Sequence, residues 1–246
     1  MIRRALAAGL GLVVACQAAA WDYDPDTGVS LESVRYRLTW DTGSVTAATG
    51  GGWVTTTDLG YQVRVTRGYL VSYAVTLAQC PQTTASLLPV APAMAWHGEE
   101  NDPSIAGDVV EPMVGAGELD LDLAFAAAAY CRVFYLVAAA DGATTHLPDD
   151  VGMESTSLYI EGSWRLPGGD WTPFAVRTDL AGGVLEELGD VLVDLRNGTG
   201  ADIEIQRPLA TLFDGIAWPD ATGDDLGWAV LSNLRRGTII SATVGD

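Results

Sequence analysis

Lysine is missing altogether, and only two histidines, three cysteines and four phenylalanines occur in 246 residues. Arginine supplies every strongly basic side chain, which we read as composition bias and not as mechanism. Basic groups number 13 against 32 acidic ones, for a formal net charge of −19. Such a surface repels phosphate, so nucleic acid and anionic lipid surfaces are excluded as partners, while cations are attracted. No G-x-S-x-G elbow, H-E-x-x-H helix, P-loop or dinucleotide fingerprint is present. Carboxylate pairs suited to glycoside hydrolysis are set by three-dimensional spacing, so abundant acids do not point to one. We read the acids as a soluble surface and the chain as non-catalytic. The apolar run from Ala5 to Ala15 is too short to span a bilayer as a helix.

That run belongs instead to an export signal over residues 1–20. Met1-Ile2-Arg3-Arg4 is a basic start, the apolar stretch follows, and Ala18-Ala19-Ala20 is a small-residue cleavage site. Cleavage there would release a protein beginning at Trp21. A competing site is Val13-Val14-Ala15-Cys16, which resembles a bacterial lipobox, with Cys16 lipidated as the first mature residue. Removing residues 1–16 takes away Arg3 and Arg4 and no acids, leaving 11 basic against 32 acidic groups, a net −21. The expectation is an exported protein, periplasmic or at the cell surface, touching the membrane only through a lipid anchor. Cys80 and Cys131 are then an even pair in an oxidising compartment, which predicts a disulfide. Neither has a C-x-x-C neighbour, so a thiolate metal site is the weaker reading.

Residues 21–33 are polar and acidic, the expected tether, and the remaining 34–246 form the domain. Val34, Tyr36, Leu38 and Trp40 alternate with Arg35, Arg37 and Thr39, the period of a half-buried strand. Tyr61-Val63-Val65 and Tyr69-Val71-Tyr73-Val75-Leu77 predict two adjacent strands turning near Arg67-Gly68. Five prolines within residues 81–117 (Pro81, Pro89, Pro92, Pro103 and Pro112) argue against a central strand or long helix. Leu119, Leu121, Leu123 and Phe125 alternate with Asp120, Asp122 and Ala124. The apolar stretch 124–140, interrupted by Arg132, predicts a strand buried on both faces. Two hairpins are expected, 157–166 with 171–178 around Pro167-Gly168-Gly169-Asp170, and 191–195 with 203–206 around Asn197-Gly198-Thr199-Gly200. Asp224 and Asp225, then Leu226, Ala229, Val230 and Leu234 on one face, then Arg235, Arg236 and Gly237, spell one helix. Many short strands and turns with a single helix predict an all-β fold, an antiparallel β-sandwich with one short C-terminal helix.

His97 and His146 both fall in loops with carboxylates nearby: Trp96-His97-Gly98-Glu99-Glu100-Asn101-Asp102, and Thr145-His146-Leu147-Pro148-Asp149-Asp150. Imidazole ligates copper and zinc, and flanking acids ligate or orient it. The disulfide would hold both loops near neighbouring strand ends; the plain alternative is two solvated histidines that never share an ion. Trp96 beside His97, with a second histidine about fifty residues on, resembles the exported copper-binding proteins of the MbnP and CorA type. That resemblance implies copper held by two histidines and a tryptophan oxidised to kynurenine, with Trp96 as the nearest candidate here. Glu99, Glu100 or water would complete the shell. Calcium ranks lower: Asp22-Tyr23-Asp24-Pro25-Asp26-Thr27-Gly28 begins like an EF-hand loop, but Thr27 and Ser33 stand where glycine and an acid are required. The rival reading is a metal-free adhesion, partner- or carbohydrate-binding module of the cell envelope, prompted by eight tryptophans.

Overall fold

The structure, a computed structural model, describes residues 30–80, 108–115, 117–188, 193–221 and 223–245. Two sheets face each other. The smaller has the order β13-β12-β1-β6, made of β1 (Leu31–Asp41), β6 (Leu119–Ala126), β12 (Ala201–Pro208) and β13 (Ile239–Val244). The larger has nine strands and centres on β4 (Gln62–Gln79), flanked by β3 (Trp53–Thr56), β5 (Val109–Pro112), β7 (Ala129–Val137) and β8 (Leu158–Arg165). β2 (Thr46–Ala47), β9 (Thr172–Thr178), β10 (Gly182–Glu187) and β11 (Val193–Asp194) complete it. Among the strand pairs of the described residues β1–β12 alone is parallel. This is the all-β sandwich the alternation predicts.

The physical cause is legible in β1. Val34, Tyr36 and Leu38 are wholly buried, and Arg35 and Arg37 point outward between acids of both neighbouring strands. Isoleucines 203 and 205 of β12 and Phe125 of β6 continue the same inner layer. Helix α1 (Gly223–Gly237) forms as expected and buries Leu226, Val230, Leu231 and Leu234. Full burial of such side chains contributes about 1.5–3 kcal/mol each. Cys80 and Cys131 are disulfide-bonded across a separation of 51 residues. A loop of that length lowers the unfolded chain's entropy by about 4 kcal/mol.

Four expectations need correction. β1 starts at Leu31, inside the stretch expected as tether. The turn near Arg67-Gly68 does not exist: β4 runs unbroken for 18 residues. A register shift against β8 between Val65 and Arg67 absorbs the irregularity, and Gly68 lets Met113 pack close, since a Cβ there would lie 2.9 Å from Met113 Sδ. The strand β7 is fully covered on one face only, with Val133, Tyr135 and Val137 buried and their neighbours half-buried. Finally, residues 191–195 and 203–206 are not a hairpin. β11 pairs with β7 in the large sheet, whereas β12 pairs with β1 and β13 in the small one. Gly198, left-handed at φ 72°, caps the short 3-10 turn where the chain crosses between sheets.

Candidate functional site

The chain between β7 and β8 folds back over the outer face of the large sheet. There Ala140, Val151 and Met153 cover Val71, Val110 and Tyr159 in a second small core. Hydrogen bonds fasten this excursion to the start of β5. The Thr145 amide donates to the Asp108 carbonyl at 3.0 Å, and the Val110 amide donates to the Thr145 carbonyl at 3.0 Å. The Thr145 hydroxyl donates to the same Asp108 carbonyl at 3.1 Å, and the Thr144 hydroxyl donates to the Asp108 carboxylate. Asp141 turns the chain just before, accepting from the Ala143 amide at 2.7 Å. Tyr73, on β4 beneath, has its phenol pKa raised, first by burial and then by Asp141 and Asp108.

His146 follows this anchor directly. It is exposed, and its backbone sits in the left-handed region at φ 57°. Histidine visits that region more readily than most residues, yet glycine would do so without strain. Trp96, His97 and Glu99 lie outside the described residues, as does Cys16. Asp108, however, is where the chain re-enters the described fold after residue 107, and it is bonded to the two residues that precede His146. Among the described residues no group of three or more His, Cys, Asp or Glu side chains is close enough to hold a metal. His146 and its described neighbours therefore do not form a coordination shell by themselves.

A polar centre that sequence reasoning missed lies between the sheets. Arg207 of β12 is wholly buried and meets Glu111 of β5 in a fork-to-fork pair, Nη1 to Oε1 at 3.0 Å and Nη2 to Oε2 at 2.5 Å. Its Nε donates to the Thr39 carbonyl at 3.0 Å, and its guanidinium lies 4.6 Å from the Trp40 ring centre. The Ser72 hydroxyl donates to Glu111 Oε1 and lies 2.7 Å from the Tyr135 hydroxyl. Burial works against the Arg207 charge, but Glu111 and Tyr135 outweigh it and its pKa is raised. With Arg207 and Glu111 both shut off from water, its chemistry is that of a clamp between sheets. The signal was present in the alternation Ile203, Ile205, Arg207, which puts the arginine on the inward face.

Of the six described tryptophans, Trp53 and Trp218 are buried, Trp40, Trp164 and Trp171 are half-buried, and Trp228 on α1 is exposed. Trp164, Trp218, Phe174 and Phe213 form a continuous aromatic core. The core thus explains most rings that suggested a sugar platform. No helix among the described residues is long and apolar enough to cross a membrane, a statement that leaves β-barrels aside.

Comparison with known proteins finds a weak similarity. No family model matches the chain, and a search of curated proteins finds no match. Among solved structures it is weakly similar to MbnP from Methylosinus trichosporium, at 11% identity and a TM-score of 0.39. That alignment covers 87% of this chain and 100% of the other.

Proposed function

We propose that this protein is an exported, non-catalytic metal-binding protein of the bacterial cell envelope, lipid-anchored through Cys16. It takes one transition-metal ion, copper first, through His97 and His146. One observation supports the reading best: a strained, exposed histidine stands immediately after the two residues bonded to Asp108, the first described residue that follows His97 in the sequence. A left-handed conformation costs a non-glycine residue about 1–2 kcal/mol. Strain of this kind, kept at an exposed position, is a pointer to function. Two imidazoles are a minimal set, and Trp96, Glu99 or water would fill the remaining positions. Nitrogen ligands favour copper over zinc in intrinsic affinity. Any partner beyond the metal would be another envelope protein.

Copper titration of the mature protein tests this, read by mass spectrometry and visible absorption. The parent should take up close to one equivalent, and His97→Ala should abolish uptake. His146→Gly is the sharper variant, because it relieves the left-handed strain while removing the imidazole. It should melt within a degree or two of the parent and still lose the metal. Uptake should also fall on acidification, because protonated imidazole cannot ligate. Unchanged uptake in either variant, or none in the parent, overturns the proposal. Mass spectrometry of the mature N-terminus tests the anchor: a free Trp21 would end the lipoprotein reading and leave export standing.

A further inference from the structure

Six of the eleven described arginines are answered by acids. Arg35, Arg37, Arg67, Arg132 and Arg196 each form an ion pair on the surface, and Arg207 forms one inside. Arg177, Arg235 and Arg236 donate to uncharged oxygens; Arg64 and Arg165 do the same, and in addition they share one aromatic ring. They are brought together by register. Arg64 of β4 pairs with Ser163 of β8, and Arg165 pairs with Gln62 two residues away, so both side chains leave the same outer face. Trp164 pairs with Thr172, which sets Trp171 opposite Arg165 at the hairpin end.

All three side chains are half-buried. The guanidinium carbons of Arg64 and Arg165 lie 4.4 Å and 4.3 Å from the centre of the Trp171 ring. Two cations are therefore held less than about 9 Å apart by one indole, each attracted to its ring. Their hydrogen bonds go to neutral groups. Arg64 Nε and Nη2 donate to the Ser163 hydroxyl at 3.4 and 3.3 Å, and Arg165 Nε donates to Gln62 Oε1 at 2.7 Å. Glu161 is two residues along β8 from Ser163, but it is already engaged by Arg67 at 3.4 Å and by the Tyr159 hydroxyl.

We infer that Arg64, Trp171 and Arg165 form a binding site for a small multivalent oxyanion, a polycarboxylate or a phosphate. Each guanidinium carries five N–H donors in a planar fork suited to oxyanions, and the bonds above use only part of them. Neutral partners and the shared indole fix both forks before any ligand arrives, which lowers the ordering cost of binding. The protein's overall negative charge does not forbid the site, since at physiological salt charges beyond about 8 Å are largely screened. A ligand with two charges engages both cations, whereas a monovalent one engages either and gains little.

Calorimetric titration of the mature protein at physiological ionic strength, with citrate, inorganic phosphate and acetate in separate runs, tests the inference. Citrate or phosphate should bind near one equivalent, and whichever binds more tightly identifies the preferred oxyanion. Acetate should bind at least tenfold more weakly. Arg64→Gln/Arg165→Gln should weaken the preferred anion at least tenfold, whereas Arg35→Gln, which removes an acid-paired arginine, should leave it unchanged. A second readout needs no arginine variant: anion binding should shift the tryptophan emission of the parent, and Trp171→Phe should abolish that shift. Absence of binding to both multivalent anions, or binding that Arg64→Gln/Arg165→Gln leaves intact, overturns the site.

Discussion

Replacing Arg207 by methionine asks what the inter-sheet ion pair contributes. Arg207 and Glu111 are almost fully excluded from water, so each charge depends on the other for the solvation it has lost. The carboxylate also holds Ser72, and through it the Tyr135 hydroxyl. Arg207→Met removes the guanidinium but leaves Glu111 buried, with one hydroxyl for company. Stranding one charge of a buried pair costs about 3–5 kcal/mol. For a domain of this size that is a fall of about 6–20 °C in Tm. Arg207→Met/Glu111→Leu removes both charges and fills the space with apolar atoms. It should recover most of the loss, because replacing the whole pair is often neutral or better. Urea unfolding of the oxidised protein, followed by far-ultraviolet circular dichroism, gives both free energies, and Glu111→Leu measured alongside them completes the cycle that isolates the coupling. A loss below about 1 kcal/mol for Arg207→Met, the range of exposed pairs, would show that the pair is hydrated and that the clamp does not operate as argued.

Two further outcomes check other elements. Val230→Asp should unfold the domain or strip several kcal/mol from it by burying an unpaired carboxylate, while Arg236→Ala on the exposed side of α1 should move stability by less than about 0.5 kcal/mol; similar urea midpoints for the two would refute the face assignment. The Arg196 side chain, and then its backbone amide, lower the Asp194 carboxyl pKa from 3.8 to about 2. Its contribution is therefore complete above the unfolded value and disappears as pH falls from about 4 towards 2. An NMR titration should find that low midpoint and see Arg196→Gln raise it; a parent midpoint at the unperturbed value would contradict the contact.

Local patterns predicted what local forces decide. β1 and β6 follow from strict alternation, and the helix from its caps and single apolar face. The errors share one cause, that strand partners are chosen by burial over long separations. Arg67-Gly68 has the composition of a turn, but β8 pairs with β4 through it and the Met113 amide donates to the Gly68 carbonyl, and continuing the ladder outweighs the local preference. Asn197-Gly198 does make a turn. It returns the chain not to its predecessor but to β1, 167 residues earlier, in a parallel pair that no adjacent signature announces. Glu111 was hidden for a similar reason: the prolines around it speak for a loop, while Val109 and Val110 are claimed by the edge of β4. Of the metal site, the loop position of His146 was legible. Its strained backbone and its link to Asp108 were not, since both depend on a bridge between segments far apart in sequence.

The two proposed binding regions occupy the same face of the large sheet and share one strand. Arg64 stands near the start of β4, and Tyr73, beneath the strap that leads to His146, stands nine residues further on. At the rise of a β-strand this separation is about 30 Å. Charge–charge coupling across several screening lengths is negligible, so any influence of one region on the other would have to travel through β4 itself. The strand is poorly suited to sliding. The Val65–Arg67 irregularity, Gly68 packed against Met113, and the bonded series Ser72, Glu111 and Arg207 pin it to three different elements between those points. Metal uptake and oxyanion binding should therefore be independent, each unchanged within twofold when the other region is saturated or mutated. If copper instead altered oxyanion affinity tenfold, the pinning would have to yield under about 1.4 kcal/mol of coupling. The inter-sheet clamp would then be a moving part and not a fixed one, and Arg207→Met/Glu111→Leu would be the variant in which that coupling disappears.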